Sequence, residues 1–219
     1  EVVRVARANN LPIVPRGAGT GLSGGSVAQN GGIVVALTRM AAILDLDYEN
    51  WVALVAPGVI NLELSDWVKP GGYFFAPDPS SQRACTIGGN VAENSGGPHC
   101  LKYGVTTNHI LGLEVVDPDG KVRWIGGKGE EHAGYDLTGV FVGSEGMLGI
   151  VTKALVRLKP KTETISVQPA AFPTGESASL AVSRTVTGFD QRPDLKGTET
   201  GAVAWLLSPV HTASNNAPI

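Results

Sequence analysis

The chain has 219 residues and a formal net charge of −3, a balance that points to neither a nucleic-acid partner nor an acidic membrane surface. No apolar run approaches the roughly 18 residues of a membrane span, no secretory leader is seen, and the only two cysteines, Cys85 and Cys100, are too far apart for C-x-x-C chemistry. The chain therefore reads as cytoplasmic with reduced thiols, and peripheral association with the inner face of a membrane would leave no trace of this kind.

Glycine is the anomaly. There are 29, where an average chain of this length carries about 15, and 25 of them lie before residue 150, in clusters. In chain order, Val2, Val5 and Ala6 interleaved with Arg4 and Arg7 predict a helix over residues 1–9 that starts without an N-cap and is ended by Asn9-Asn10 and Pro12. The apolar run Leu11 to Val14 then reads as a strand. It opens onto Pro15-Arg16-Gly17-Ala18-Gly19-Thr20-Gly21-Leu22-Ser23-Gly24-Gly25-Ser26, in which about every second residue is glycine. A backbone without Cβ atoms can take φ > 0 repeatedly, so successive N–H groups can turn toward one anion, most often a phosphate. Gly19 to Gly24 satisfies G-x-G-x-x-G, but a dinucleotide-binding βαβ unit needs a helix after the last glycine. Only seven residues separate Gly25 from the β-branched run Ile33 to Leu37, and they include the turn signal Asn30-Gly31-Gly32, so no helix fits. No Walker A pattern occurs either. The loop is expected to join strand to strand and to bind an anion without a helix dipole; the competing reading is a glycine-rich hairpin turn with no ligand.

Strands are expected at Ile33 to Leu37 and Trp51 to Ala56 with a link through residues 39–46, then a short helix over Ile60 to Val68 stopped by Pro70-Gly71-Gly72. The second glycine cluster, Thr86-Ile87-Gly88-Gly89-Asn90 through Gly96-Gly97, reads as one helical turn over Asn90 to Asn94 between two glycine pairs, serving either as a second polar cradle or as two capped turns. The clearest hairpin runs from Ile110 to Val116, turns through Asp117-Pro118-Asp119-Gly120 and returns over Lys121 to Ile125, with residues 126–134 as a loop. The third cluster, Phe141 to Val151, feeds a strand over Val151 to Leu158. This succession is mixed α+β. Three glycine segments at strand ends are read together as the path of one long ligand. Among the histidines, His99 follows the second cluster and could approach such a ligand, although a solvent-facing loop residue is the competing reading. His109, His132 and His211 have no metal-ligand spacing, so no metal site is expected. Trp51, Trp67 and Trp124 read as core.

The segment from Pro15 to Gly25, then Thr86-Ile87-Gly88-Gly89-Asn90 with Asn94 and Gly96-Gly97, then Val142-Gly143-Ser144-Glu145-Gly146-Met147-Leu148-Gly149-Ile150-Val151, resemble in order and spacing the FAD-binding domain of the vanillyl-alcohol oxidase / p-cresol methylhydroxylase flavoproteins. D-lactate dehydrogenase, D-2-hydroxyglutarate dehydrogenase and the corresponding polypeptide of glycolate oxidase are the members they are most similar to. The resemblance covers residues 1 to about 160. It implies a two-lobed α+β FAD-binding domain over 1–160, followed by an atypical tail over 161–219 where such proteins carry a cap domain; the cap is expected to be missing, by truncation or replacement.

By the same resemblance, Arg16, Gly17, Ala18, Gly19, Thr20, Gly21, Leu22, Gly24, Gly25 and Ser26 would hold the pyrophosphate. Pro79, Ser80, Thr86, Gly88, Gly89 and Asn90 would line the flavin and ribityl region, with Asn94 and Gly97 extending that surface, and Glu145, Gly149, Ile150 and Val151 would lie near the nucleotide end. FAD would be bound non-covalently, because the first loop lacks the histidine through which some members attach it. Met147 stands where a small polar residue is usual. The implied reaction is hydride transfer from a 2-hydroxy acid such as D-lactate or glycolate to flavin N5, with no catalytic residue assigned and an electron-accepting or cap-bearing partner protein expected. The alternatives are a non-catalytic flavin-binding module and a nucleotide-binding domain without a redox role. Valine at Gly19 or Gly21 is expected to abolish flavin binding through φ > 0 at both.

Overall fold

The computed structural model describes residues 1–128, 134–161 and 172–190, with side chains described as far as residue 184; His132 and His211 lie outside. The chain divides into two compact units, Glu1–Lys161 and Thr162–Ile219. In the second, the described element is the helix Gly175–Asp190, whose first turn is tied by Ser177 N–H donating to Thr174 Oγ1 at 3.2 Å.

The first unit starts with helix α1 (Val2–Ala8), which buries Ala6 and leaves Val2 and Val5 half exposed. Strand β1 (Ile13–Arg16) pairs with β2 (Ile33–Ala36) in parallel, Ile13 opposite Ile33. That pairing removes the hairpin reading, since a hairpin makes its strands antiparallel. Residues 17–32 join the two strands without a helix, as the seven-residue spacing required.

The larger part is a five-stranded antiparallel sheet. Its strands are β3 (Ile43–Asp47), β4 (Val52–Val55), β6 (Ile110–Val116), β7 (Val122–Gly126) and β8 (Ile150–Arg157), in the order β3-β4-β8-β6-β7. Ala53 and Val55, Leu113 and Val115, and Ala154 and Val156 point to one face at the period of two that a strand imposes. They pack against Leu64 and Val68 of α2 (Asn61–Val68) and Ile87 and Val91 of α3 (Ile87–Glu93), closed off by Phe75 and Leu158. Each fully buried Leu, Ile or Val here is worth roughly 1.5–3 kcal/mol relative to exposure. Val52, Leu111 and Leu155 form a smaller cluster with Leu54. Past β7, Lys128 Nζ donates to Asp47 Oδ2 at 2.6 Å at the end of β3, and this bond, with those from Asn50, pulls the Asp47 carboxyl down to about 2. A two-strand ladder of β5 (Tyr73–Phe74) and β9 (Lys159–Pro160) and two short helices, α4 (Cys100–Tyr103) and α5 (Leu137–Phe141), complete the described elements of this unit, besides two single 3-10 turns.

Four sequence expectations change. The link over 39–46 contains β3, where aspartates at 45 and 47 interrupt the apolar signal. Helix α3 begins at Ile87 rather than Asn90, because the Thr86 hydroxyl accepts from Gly89 N–H at 3.3 Å and caps the helix ahead of the glycine pair. The second cluster is thus a helix and not a strand end. Helix α5, capped by Asp136 accepting from Gly139 N–H at 2.9 Å, follows the stretch read as a loop. Trp51, Trp67 and Trp124, read as core, are 46%, 64% and 45% exposed: they sit at the β3–β4 turn, on the outer side of α2 and on edge strand β7.

Candidate functional site

The three glycine segments meet at α3. Its C-terminal carbonyls do not face solvent: Val91 O accepts from Gly143 N–H at 2.8 Å and Ala92 O from Glu145 N–H at 2.9 Å, which seats the third segment on the end of the second. Asn94 ends the helix in the left-handed conformation (φ 50°) and its Oδ1 accepts from Thr107 N–H at 2.9 Å. The first segment is pressed against both others. A Cβ on Gly17 would run into Thr86 Oγ1, and one on Gly146 would stand 3.0 Å from Pro15 Cγ. The result is a cleft whose walls are Pro15, Arg16 and Gly17; Thr86, Gly88, Gly89, Val91 and Ala92; and Phe141, Ser144, Glu145, Gly146, Gly149, Ile150 and Val151, with Leu37 and Pro57 between.

Donor use differs sharply between the segments. In the second, Ile87 N–H donates to Val59 O and Gly88 N–H to Pro57 O, both at 2.8 Å, and Gly89 N–H goes to Thr86, so these groups hold the helix and are not free for an anion. In the first, no main-chain N–H from Gly17 to Ser26 donates to a protein acceptor among the described residues; the next one used is Val27 N–H, to Gly24 O at 3.0 Å. Gly19 and Gly24 hold φ of 73° and 81°, which turns neighbouring donors to different sides as an anion cradle requires. Arg16, the one cation among the described residues lining the cleft, lies beside this loop, its Nη2 2.9 Å from where a Gly19 Cβ would stand. An open row of donors, one guanidinium and a floor largely without side chains suit an extended ligand that carries phosphate at one end.

Of the sequence-derived site residues, the cleft brings together Arg16, Gly17, Thr86, Gly88, Gly89, Glu145, Gly149, Ile150 and Val151. Ala18, Gly19, Thr20, Gly21, Leu22, Gly24, Gly25 and Ser26 continue from its rim as the open loop, with Leu22 fully exposed. Asn90 lies behind the cleft, buried, its Nδ2 unpartnered among the described residues. Pro79, Ser80, Asn94 and Gly97 do not line it. Gly97 is instead packed on the Asp78 backbone, without room for a Cβ. Leu37, Pro57, Val91, Ala92 and Phe141 are wall residues that sequence reasoning missed; Ser144 and Gly146 lay inside a motif already marked, whereas nothing in the sequence singled out Leu37 or Pro57. His99 is not simply solvated: its Nδ1 and Asp78 Oδ2 are 2.5 Å apart. His109 is buried, its Nε2 2.9 Å from Tyr103 O, and desolvation lowers its pKa to about 4. Cys85 and Cys100 are free thiols, and burial pushes Cys85 up. No group of three metal-ligating side chains occurs among the described residues.

Comparison with known proteins supplies the family: residues 1–126 match the FAD binding domain family. The chain belongs to that family. Its cofactor is FAD, and the residues present fit it: the unused donors of 17–26 suit a pyrophosphate, and glycine at 17, 88 and 146 lets the cleft walls close on Thr86, Pro57 and Pro15. Among relatives, the glycolate oxidase subunit GlcD of Bacillus subtilis is 48% identical over 183 residues, 83% of this chain and 39% of that protein. A D-lactate dehydrogenase of Archaeoglobus fulgidus is 40% identical over 182 residues, 83% of this chain and 41% of that protein. The solved structure of alkyldihydroxyacetonephosphate synthase superposes with a TM-score of 0.68 at 25% identity, over 85% of this chain and 37% of that one. The α+β FAD-binding fold is shared, and the chain spans about two fifths of these proteins' length. Because 83% of the chain reaches beyond Lys161, the likeness runs past residue 160, where the sequence reading ended it. No helix among the described residues is long and apolar enough to cross a membrane.

Proposed function

We propose that this chain is the FAD-holding part of an oxidoreductase that takes a hydride from a 2-hydroxy acid such as D-lactate or glycolate. The observation that carries the reading is the convergence of three glycine segments on one cleft whose first wall offers unused donors; the names of the relatives support the substrate class. Bound flavin supplies the two-electron acceptor. The chain's own residues do the holding: loop 17–26 binds the pyrophosphate through main-chain N–H groups, Arg16 offsets its charge, and Thr86, Gly88 and Gly89 shape the floor without competing side chains. FAD is held non-covalently, a reading supported by the described residues of the cleft wall, which include neither histidine nor cysteine.

A second reading is favoured by what surrounds the cleft. Oxidising a 2-hydroxy acid needs a cation or metal for the carboxylate and a base for the hydroxyl proton, each within about 3 Å of its target. The described residues lining the cleft include Arg16 alone as a cation and no histidine. Those groups then come from chain beyond the FAD-binding unit or from a partner protein, and this chain by itself is a flavin module. Anaerobic mixing of the flavin-loaded chain with D-lactate, glycolate and D-2-hydroxyglutarate tests both readings. Slow or absent bleaching of the flavin absorbance is expected of the isolated chain; rapid bleaching by any of the three acids would show a complete active site within it.

A further inference from the structure

The open loop is faced by two carboxylates. Glu93 is the last residue of α3, and Glu145 is its spatial neighbour because Glu145 N–H donates to Ala92 O at 2.9 Å. A Cβ built on Gly21 would stand 3.2 Å from Glu93 Oε1, and one built on Gly25 would stand 3.3 Å from Glu145 Oε2. The two acids thus lie against the middle and the C-terminal end of the donor stretch. Glu145 is held there at φ 53°, between Gly143 at 87° and Gly146 at 77°, a conformation that non-glycine residues rarely adopt. Both side chains belong to exposed residues, and neither carboxylate takes part in an ion pair or hydrogen bond among the described residues. The Arg16 guanidinium lies beside Gly19 instead. Two carboxylates without an ion-pair partner among the described residues therefore lie against the loop that the FAD reading assigns to the pyrophosphate, close enough for charge to act across a Debye length of about 8 Å at physiological salt.

We propose that Glu93 and Glu145 are the resident anions of the phosphate-binding loop. They face its unused donors before the cofactor arrives, repel the pyrophosphate when it binds, and so set the FAD affinity below what the loop and Arg16 alone would give. This rests on the FAD-binding reading above. The pair are positioning residues: they act on the loop and leave the redox chemistry untouched. They face different glycines of the loop, Glu93 at Gly21 and Glu145 at Gly25, so each contributes to the effect on affinity.

The test is a titration of the full chain, freed of flavin, with FAD in 0.05 M and in 1 M NaCl, comparing the native protein with Glu93→Gln, Glu145→Gln and the double variant. Glu63→Gln, on the outer side of α2, serves as a control for net charge. Each single variant should lower Kd about threefold to tenfold at low salt, the double variant further, and the differences should close in 1 M salt, where the Debye length falls to about 3 Å; the control should match the native protein. A Kd that is unchanged or raised in the loop variants, or lowered equally in the control, overturns the inference while leaving FAD binding intact. A native chain that binds no FAD overturns the functional reading and this inference with it.

Discussion

Gly19 and Gly21 stand two residues apart in the same loop but are glycine for different reasons. Gly19 holds φ 73°, where a β-branched side chain is strained whatever the space around it. Gly21 lies outside the left-handed region, and its limit is the Glu93 carboxylate 3.2 Å from where a Cβ would stand. The expectation that valine acts through φ at both positions is therefore corrected for Gly21. Gly19→Val should weaken FAD binding by a factor of about 10 to 100, the equivalent of 1–3 kcal/mol of backbone strain, and Gly21→Val by less, since a flexible glutamate can turn aside; equal losses in a fluorescence titration would contradict the distinction. A G-x-G spacing shows where glycine is needed but not which of the two needs the positive φ, and only the folded backbone separates them.

His109 carries a second residue-scale prediction. It is buried, with Nδ1 unpartnered among the described residues, and desolvation lowers its pKa to about 4 although the contact with Tyr103 O opposes this. With the folded pKa below the unfolded value of about 6.5, the unfolded chain takes up the proton first as pH falls. The stabilising contribution is thus complete above pH 6.5 and is lost on going down toward pH 4, to a limit on the order of 3 kcal/mol. Urea unfolding midpoints at pH 7.5 and pH 5 should fall further for the native chain than for His109→Gln. Parallel pH profiles would show that His109 does not titrate as described.

At the scale of elements, α3 is the hinge between legible and illegible structure. The β6–β7 hairpin could be read directly, because Asp117-Pro118-Asp119-Gly120 supplies both the turn and, at Gly120 with φ 72°, the one residue that must be left-handed. Helix α3 could be read only from Asn90 on: two consecutive glycines lower helix propensity by about 1 kcal/mol each, and at Ile87–Gly89 propensity lost to a cap and to packing. Pro57 Cβ is 2.7 Å from where a Gly88 Cβ would lie, so this helix has to be glycine there to approach the strand-end turn. Thr86 supplies the cap, and Thr86→Ala should cost about 1 kcal/mol, a fall in thermal midpoint of roughly 2–4 °C for a chain of this size. An unchanged midpoint would mean that the bond from Gly89 N–H does not hold the helix start.

For the whole molecule, the sequence shows three glycine segments but not the surface they share. Their convergence depends on the carbonyls of Val91 and Ala92 receiving Gly143 and Glu145, and on Pro15 fitting where Gly146 lacks a side chain; these contacts link residues more than 50 and more than 130 positions apart. Leu37 and Pro57 join the cleft for the same long-range reason and left no local pattern to find. Pro79, Ser80, Asn94 and Gly97, carried over from a family resemblance, lie outside the cleft wall, where they would meet only a ligand that reaches further than the cleft itself. The central claim is that this cleft holds FAD through the donors of residues 17–26 and without a covalent bond. The measurement that tests it most directly is the visible absorbance of the purified chain after incubation with FAD and gel filtration, followed by acid precipitation. The account predicts about one flavin per chain, as for a single-site cofactor, co-eluting with protein and released entirely to the supernatant by acid. A folded chain that elutes colourless, or a precipitate that stays yellow, would contradict it.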